Sequence, residues 1–260
     1  MTESLRIPLF TLDDYDDHFA DRHLLHGVLA KWAQERPESL AILSAEGNRA
    51  ITWGAFDRFT TAMAIELLRL GIVKGDFLVT LLPMSVDHVL LEYACFKIGV
   101  IVAPLDLRLS SAEVLRSLDI LRPRGFVALG VKAPIDLRAL WSMVQKHCLG
   151  IQQLIAVDSD EAIPGARSFA SIADPLWKRL EDAVQPADQA TLAEIALTPD
   201  DGALVIFTPA RPDRPNPHSS RIAISRCRIC ASAARSLAGT MARARWSICL
   251  PRTSEARPRR

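Results

Sequence analysis

Between residues 77 and 157 the chain repeats one unit, a short run of consecutive apolar residues followed by a helical stretch and then another apolar run. Residues 77–82, 100–103, 126–129 and 154–157 are apolar at nearly every position rather than at alternate ones, so both faces of each strand must be buried. The intervening stretches have helical spacing. Residues 85–98 turn Val86, Val89, Leu90, Tyr93 and Ala94 to one side and close at Gly99; Ser110 with Glu113 forms a capping-box pattern that opens a helix to about Leu121, which Pro123 stops. A third helix is predicted over 137–148. Apolar strands separated by helices predict an α/β fold, a parallel sheet flanked by helices on both faces.

The flanks of this repeat read differently. Residues 1–19 form an acidic segment in which Asp13, Asp14, Asp16 and Asp17 crowd together, but the glycine and distal glutamate of an EF-hand calcium loop are missing. His23 and His26 fall at i, i+3 on a helix ending before Pro37; with no third ligand nearby they read as helix-surface histidines, not a metal site. Residues 40–44 and 50–52 flank Glu46-Gly47-Asn48 as a small hairpin. Thr52 then suits an N-cap, and Phe56, Phe59, Met63, Leu67 and Leu70 make the apolar stripe of a helix ending at Gly71. Residues 158–199 are less regular, with one helical piece near 176–183, and lead to a buried strand, Ala203-Leu204-Val205-Ile206-Phe207, that ends at Thr208.

Charge divides the chain at that threonine. Residues 1–208 hold 19 Lys and Arg against 28 Asp and Glu, a net −9, while residues 209–260 hold 12 Arg, no Lys and 2 acidic residues, a net +10. The start of the chain is acidic where a secretory signal would be basic and then apolar, so the cytoplasm is the expected compartment. The apolar runs near residues 77–84 and 98–105 are broken by prolines and fall short of the roughly 20 residues a membrane helix needs; no membrane span is expected. The five cysteines suggest no disulfide framework.

Several stretches together carry a family resemblance: Ile51-Thr52-Trp53; Leu70-Gly71-Ile72-Val73-Lys74-Gly75-Asp76; Leu82-Pro83-Met84-Ser85; and Lys97-Ile98-Gly99-Val100-Ile101-Val102-Ala103-Pro104-Leu105 with Arg108-Leu109-Ser110. In order and spacing, residues 20–208 resemble the opening of the adenylate-forming acyl-CoA synthetases, nearest to the fatty-acid ligases. The resemblance implies a partial AMP-binding ligase domain over 20–208. It also implies a two-step reaction: a fatty or other carboxylic acid attacks ATP, with Mg²⁺, to give an acyl-adenylate, and CoA or a carrier-protein thiol then displaces AMP. In such enzymes the strand ending at Thr208 runs into a Thr-Ser-Gly-Ser-Thr-Gly-x-Pro-Lys loop, whose glycines let backbone N–H groups close on phosphates and whose lysine supplies positive charge. Only Thr208 matches, as a nucleotide contact. Residues 209–217 read Pro-Ala-Arg-Pro-Asp-Arg-Pro-Asn-Pro, without a glycine or a lysine. No catalytic residue is assigned, and the chain itself is expected to bind no cofactor and to be inactive.

The genetic code offers a reason for the break. Residues 209–217 can be encoded CCG GCT CGA CCG GAC CGC CCA AAC CC; read one position earlier, after a T, the same bases give TCC GGC TCG ACC GGA CCG CCC AAA CCC, or Ser-Gly-Ser-Thr-Gly-Pro-Pro-Lys-Pro. Ser220-Arg221-Ile222-Ala223-Ile224 can likewise be re-read as Ser/Thr-His-Arg-Asn, which resembles the segment after the loop in the family. The expectation is a truncated ligase, with a frameshift after Thr208 and an out-of-frame, disordered Arg/Pro-rich tail over 209–260. Cys227 and Cys230 form a C-x-x-C, but no second pair completes a zinc site. The alternative is a non-catalytic interaction protein whose basic tail binds polyanions; no specific nucleic-acid recognition motif is present. A truncated sheet is also expected to leave a strand edge unpaired and the product prone to aggregation.

Overall fold

The computed structural model describes residues 24–44, 48–132, 135–198, 200–208 and 221–226. In chain order these form helix α1 (Leu25–Glu35), strands β1 (Leu40–Leu43) and β2 (Ala50–Thr52), helix α2 (Trp53–Arg69), strand β3 (Phe77–Leu81), helix α3 (Val86–Lys97), strand β4 (Ile101–Pro104), helix α4 (Ser111–Leu121) and strand β5 (Gly125–Leu129). There follow strands β6 (Val131–Lys132) and β7 (Ile135–Asp136), helix α5 (Arg138–His147), strands β8 (Gln153–Val157) and β9 (Arg167–Ser168), helices α6 (Phe169–Lys178) and α7 (Pro186–Ala193), and strands β10 (Gly202–Thr208) and β11 (Arg221–Arg226).

Seven strands join in one sheet in the order β11-β10-β4-β3-β5-β8-β9. All neighbours from β10 to β9 are parallel; β11 alone runs antiparallel, against β10. Alternate residues of the strands feed two cores. Leu78, Val102, Val127 and Ile155 point into a layer built from α1, α2, α3 and α6, whereas Val79, Ala103, Phe126, Ala128 and Val205 point into one built from α4 and α5. Burial on both faces is why these strands carry apolar residues at consecutive positions, each large side chain so buried contributing about 1.5–3 kcal/mol.

Local chemistry sets the helix ends. Thr52 accepts a hydrogen bond from the Ala55 amide and Ser85 from the His88 amide, and Ser110 and Glu113 form the reciprocal capping box. Gly71 and Gly99, at φ of 79° and 69°, take the left-handed turns that stop α2 and α3. The hairpin β1–β2 is present.

Three stretches depart from expectation. The helical piece predicted near 176–183 is displaced toward the N-terminus as α6, which contains Pro175. A proline there forgoes one intrahelical bond, offset by burial of Phe169, Ala173 and Leu176 and by Trp177 stacking on Phe59 with ring centroids 4.2 Å apart. The stretch 158–199 is also more regular than expected, since α7 opens with Pro186 in its first turn, where a missing N–H costs nothing. Finally, within the tail residues 221–226 form a strand, β11, so β10 is paired on both sides. The stretch Arg-Ile-Ala-Ile-Ser-Arg contains two β-branched isoleucines, and the open edge of β10 offers backbone partners regardless of side chain. The acidic segment 1–19, His23 and the rest of the tail, including Cys227 and Cys230, lie outside the described residues.

Candidate functional site

In an open parallel α/β sheet, ligands bind at the carboxyl ends of the strands. Here that edge carries the turn after β3 (residues 82–85), the turn after β4 (residues 105–110) and the end of β10. Thr208 is the last residue of β10, opposite Arg221 of β11; residues 209–217 lie outside the described residues. The topology therefore puts Thr208 on the binding edge, one strand from β4 and two from β3.

The turn after β4 is fixed by an exposed clamp. The Asp106 carboxylate accepts from the Arg108 side chain and from the Arg108 backbone amide at 2.9 Å, and these bonds hold its carboxyl down at about 2. The turn after β3 is held from beneath. His88 Nδ1 lies 3.2 Å from the Pro83 carbonyl oxygen, which can only accept, so this nitrogen carries the ring hydrogen of the neutral imidazole. Its Nε2 then accepts from the Thr80 hydroxyl at 3.0 Å. Glu92, one helical turn on, places Oε1 3.4 Å from the same Nε2. His88 is 3% exposed, and burial lowers its pKa; burial also pushes the Glu92 carboxyl up to about 7.

A second polar cluster lies between helices. Lys97 Nζ donates to Asp57 Oδ1 and Thr61 Oγ1, each at 2.6 Å, and to the Asp57 carbonyl at 3.2 Å. Beside it His26, expected on the helix surface, is instead turned inward with Nδ1 buried and without a hydrogen-bond partner, and its pKa is lowered first by burial and then by Lys97. Leu24, His26, Thr61, Lys97, Leu192 and Leu197 line an open crevice of about 390 Å³ here. The three donors of Lys97 already meet three acceptors, so the cluster reads as a staple joining α2 to α3.

Neither cluster was singled out in the sequence. The i, i+4 spacing of His88 and Glu92 was the available signal, but it marks equally well a solvated helix face. Among the described residues no group of three or more His, Cys, Asp or Glu could hold a metal ion, and no helix is long and apolar enough to cross a membrane.

The profile of the AMP-binding enzyme family matches residues 29–209. The chain belongs to this family. Among curated relatives, the long-chain-fatty-acid–CoA ligase FadD13 of Mycobacterium tuberculosis is 30% identical over 87 residues, 34% of this chain and 17% of the relative. The 4-coumarate–CoA ligase 2 of Oryza sativa subsp. japonica is 24% identical over 195 residues, 71% of this chain and 31% of the relative. Among solved structures, the inhibitor-bound N-terminal domain of FACL13 from Mycobacterium tuberculosis superposes with a TM-score of 0.57 at 19% identity, over 79% of this chain and 44% of that one. A Mycobacterium tuberculosis fatty acyl CoA synthetase gives 0.52 at 22% identity, over 72% and 32%. At these identities the structural likeness speaks for the fold alone. The chain spans less than half the length of each of these four proteins.

The residues behind Thr208 do not fit the triphosphate of ATP. A phosphate cradle needs successive backbone N–H groups turned to one point. Residues 209–217 contain four prolines, which lack that group, and no glycine.

Proposed function

We propose that this chain carries the amino-terminal part of an ATP-dependent acid–CoA ligase, that residues 209–260 are translated out of frame after loss of one base near codon 208, and that the chain as translated forms no acyl-adenylate. One observation carries this reading: β10 reaches the binding edge at Thr208, and the nine residues after it have neither glycine nor lysine, while an allowed encoding of them, read one base earlier, spells both. The strand β11 does not oppose it, because pairing along β10 uses backbone groups that any β-prone stretch supplies. Fatty acids are the proposed substrate class, since relatives bear the name long-chain-fatty-acid–CoA ligase. ATP, Mg²⁺ and CoA or a carrier-protein thiol belong to the restored reading frame.

The test is ATP–pyrophosphate exchange with a panel of fatty and short carboxylic acids, run beside sequencing of the coding DNA from codon 200 onward. The expected result is no exchange by the present chain and exchange once one base is restored. Exchange by the present chain would overturn its inactivity. DNA that does not spell the loop would overturn the frameshift and favour the second reading, a polyanion-binding tail. The imbalance of 12 Arg against 2 acidic residues in the tail is what supports that reading. Its mark is salt-sensitive polyanion binding lost on removing residues 209–260.

A further inference from the structure

The buried pair beneath the turn at residues 82–85 has a use that packing alone does not require. His88 Nε2 faces two oxygens at once, Thr80 Oγ1 at 3.0 Å and Glu92 Oε1 at 3.4 Å, while Nδ1 is committed to the Pro83 carbonyl. The side chains of His88 and Glu92 are 4% and 18% exposed, so neither a bare imidazolium nor a bare carboxylate is well solvated. We propose that His88 and Glu92 hold a single proton between them inside the fold, so that folding moves this proton from the histidine to the glutamate and the pair adds no slope to stability in weakly acidic solution.

In the unfolded chain at pH between 4.5 and 6.5, the ordinary values of the two groups, the histidine is protonated and the glutamate is not. In the folded chain burial disfavours both charges, and the same single proton sits on Glu92, raised to about 7, beside a neutral His88. Folded and unfolded pairs therefore bind one proton each, and linkage gives no slope. Each group alone would give a slope. Glu92, with its folded value raised, contributes stability that is full below 4.5 and lost as pH rises to about 7. His88, with its folded value lowered, contributes stability present above 6.5 and lost as pH falls.

Other titratable groups lie on the same helix or on elements packed against it. On α3 itself Tyr93 and Cys95 face the same carboxylate, and burial together with Glu92 pushes both upward, away from neutrality. Asp87 in the first turn pairs with Arg49, which precedes β2, and Lys97 in the last turn pairs with Asp57 of α2. From α1, His26 lies at the Lys97 end of the helix and is common to every variant. Strand β3 contributes the Thr80 hydroxyl, and β4, Ile-Val-Ala-Pro, has no titratable group.

The device belongs to the fold and is independent of the reading frame after Thr208. The experiment is thermal unfolding of the full chain, followed by tryptophan fluorescence from pH 5 to 7, for wild type, Glu92→Gln, His88→Gln and the double variant. Relative to wild type, E92Q is expected to lose midpoint as pH falls and H88Q as pH rises, each by about 3 °C per pH unit over part of the range. The double variant should run parallel to wild type. Single variants that both run parallel to wild type would overturn the proposal. Should a single variant fail to fold, infrared spectroscopy of the wild type at pH 6 decides. A protonated-carboxyl stretch that disappears on unfolding supports the shared proton, and its absence overturns it.

Discussion

Single side chains in this protein do their work where charge is withdrawn from water, and Lys97 is the plainest case. Its side chain is 11% exposed and its ammonium meets Asp57 and Thr61 at 2.6 Å each, whereas Asp57 keeps 28% of its side chain exposed. Removing one partner of a fully buried pair costs about 3–5 kcal/mol, and the partial exposure of Asp57 brings the expected cost of Lys97→Met down to about 2 kcal/mol. Adding Asp57→Asn removes the stranded carboxylate, so the double variant should be less destabilised than the two single variants summed. Urea unfolding of the four proteins measures this, and strict additivity would show that the pair is not coupled. Lys97 entered the sequence reading only as part of the stretch that resembles acyl-CoA synthetases. A lysine at the end of an apolar helix looks solvated until the fold shows what faces it, and the same is true of His26. The place of Thr208 at the end of a strand was legible because the apolar run stops there. Thr80, His88 and Glu92 were not, because one member comes from a different element.

Elements were most legible where the residue that sets a boundary admits few alternatives. Thr52, Ser85 and the Ser110–Glu113 box start α2, α3 and α4 because a hydroxyl that accepts from a free amide is specific chemistry. The start of α6 was missed because Pro175 looks like a beginning or an end, and only packing against Phe59 shows it to be neither. Strands β6 and β7, two residues each, are too short to show a period. Among the boundaries, Gly99 allows a prediction that separates conformation from contact. Gly75 and Gly99 both have positive φ, 87° and 69°, but a Cβ at Gly75 would meet nothing within 4 Å, while one at Gly99 would lie 2.7 Å from Leu197 Cδ2 and 2.9 Å from Lys74 Cγ. Gly75→Ala should cost about 1–2 kcal/mol from left-handed backbone alone. Gly99→Ala should cost more and should loosen the segment that Lys74 ties down through the Ala196 carbonyl and Asp201. Limited proteolysis near residues 194–201 together with urea midpoints reads both effects; equal costs for the two variants would mean that Leu197 and Lys74 yield freely.

At the scale of the whole molecule, the parallel α/β class followed from the apolar repeat. The strand order did not, since periodicity does not say that β5 crosses back to the far side of β3 or that β10 adds beyond β4. Charge, by contrast, is fully written in the sequence, and it competes with the sheet edge in deciding how the protein behaves in solution. The blocks of −9 and +10 leave a net of +1, so one chain's tail is attracted to another chain's folded part and little net charge keeps copies apart. In the described residues β11 is the terminal strand on its side, and an open edge invites pairing between chains through backbone hydrogen bonds. Salt separates the two causes, because raising ionic strength from about 0.01 to 1 M shortens the screening length from about 30 to 3 Å while leaving backbone pairing largely intact. The expected outcome is that light scattering by the full chain falls as salt rises over that range. Deleting residues 209–260 removes the attraction but also strips β11 and bares β10, so that variant should scatter more, not less, once salt screens its repulsion. A full chain whose scattering climbs with salt would instead make the strand edge the dominant cause of association.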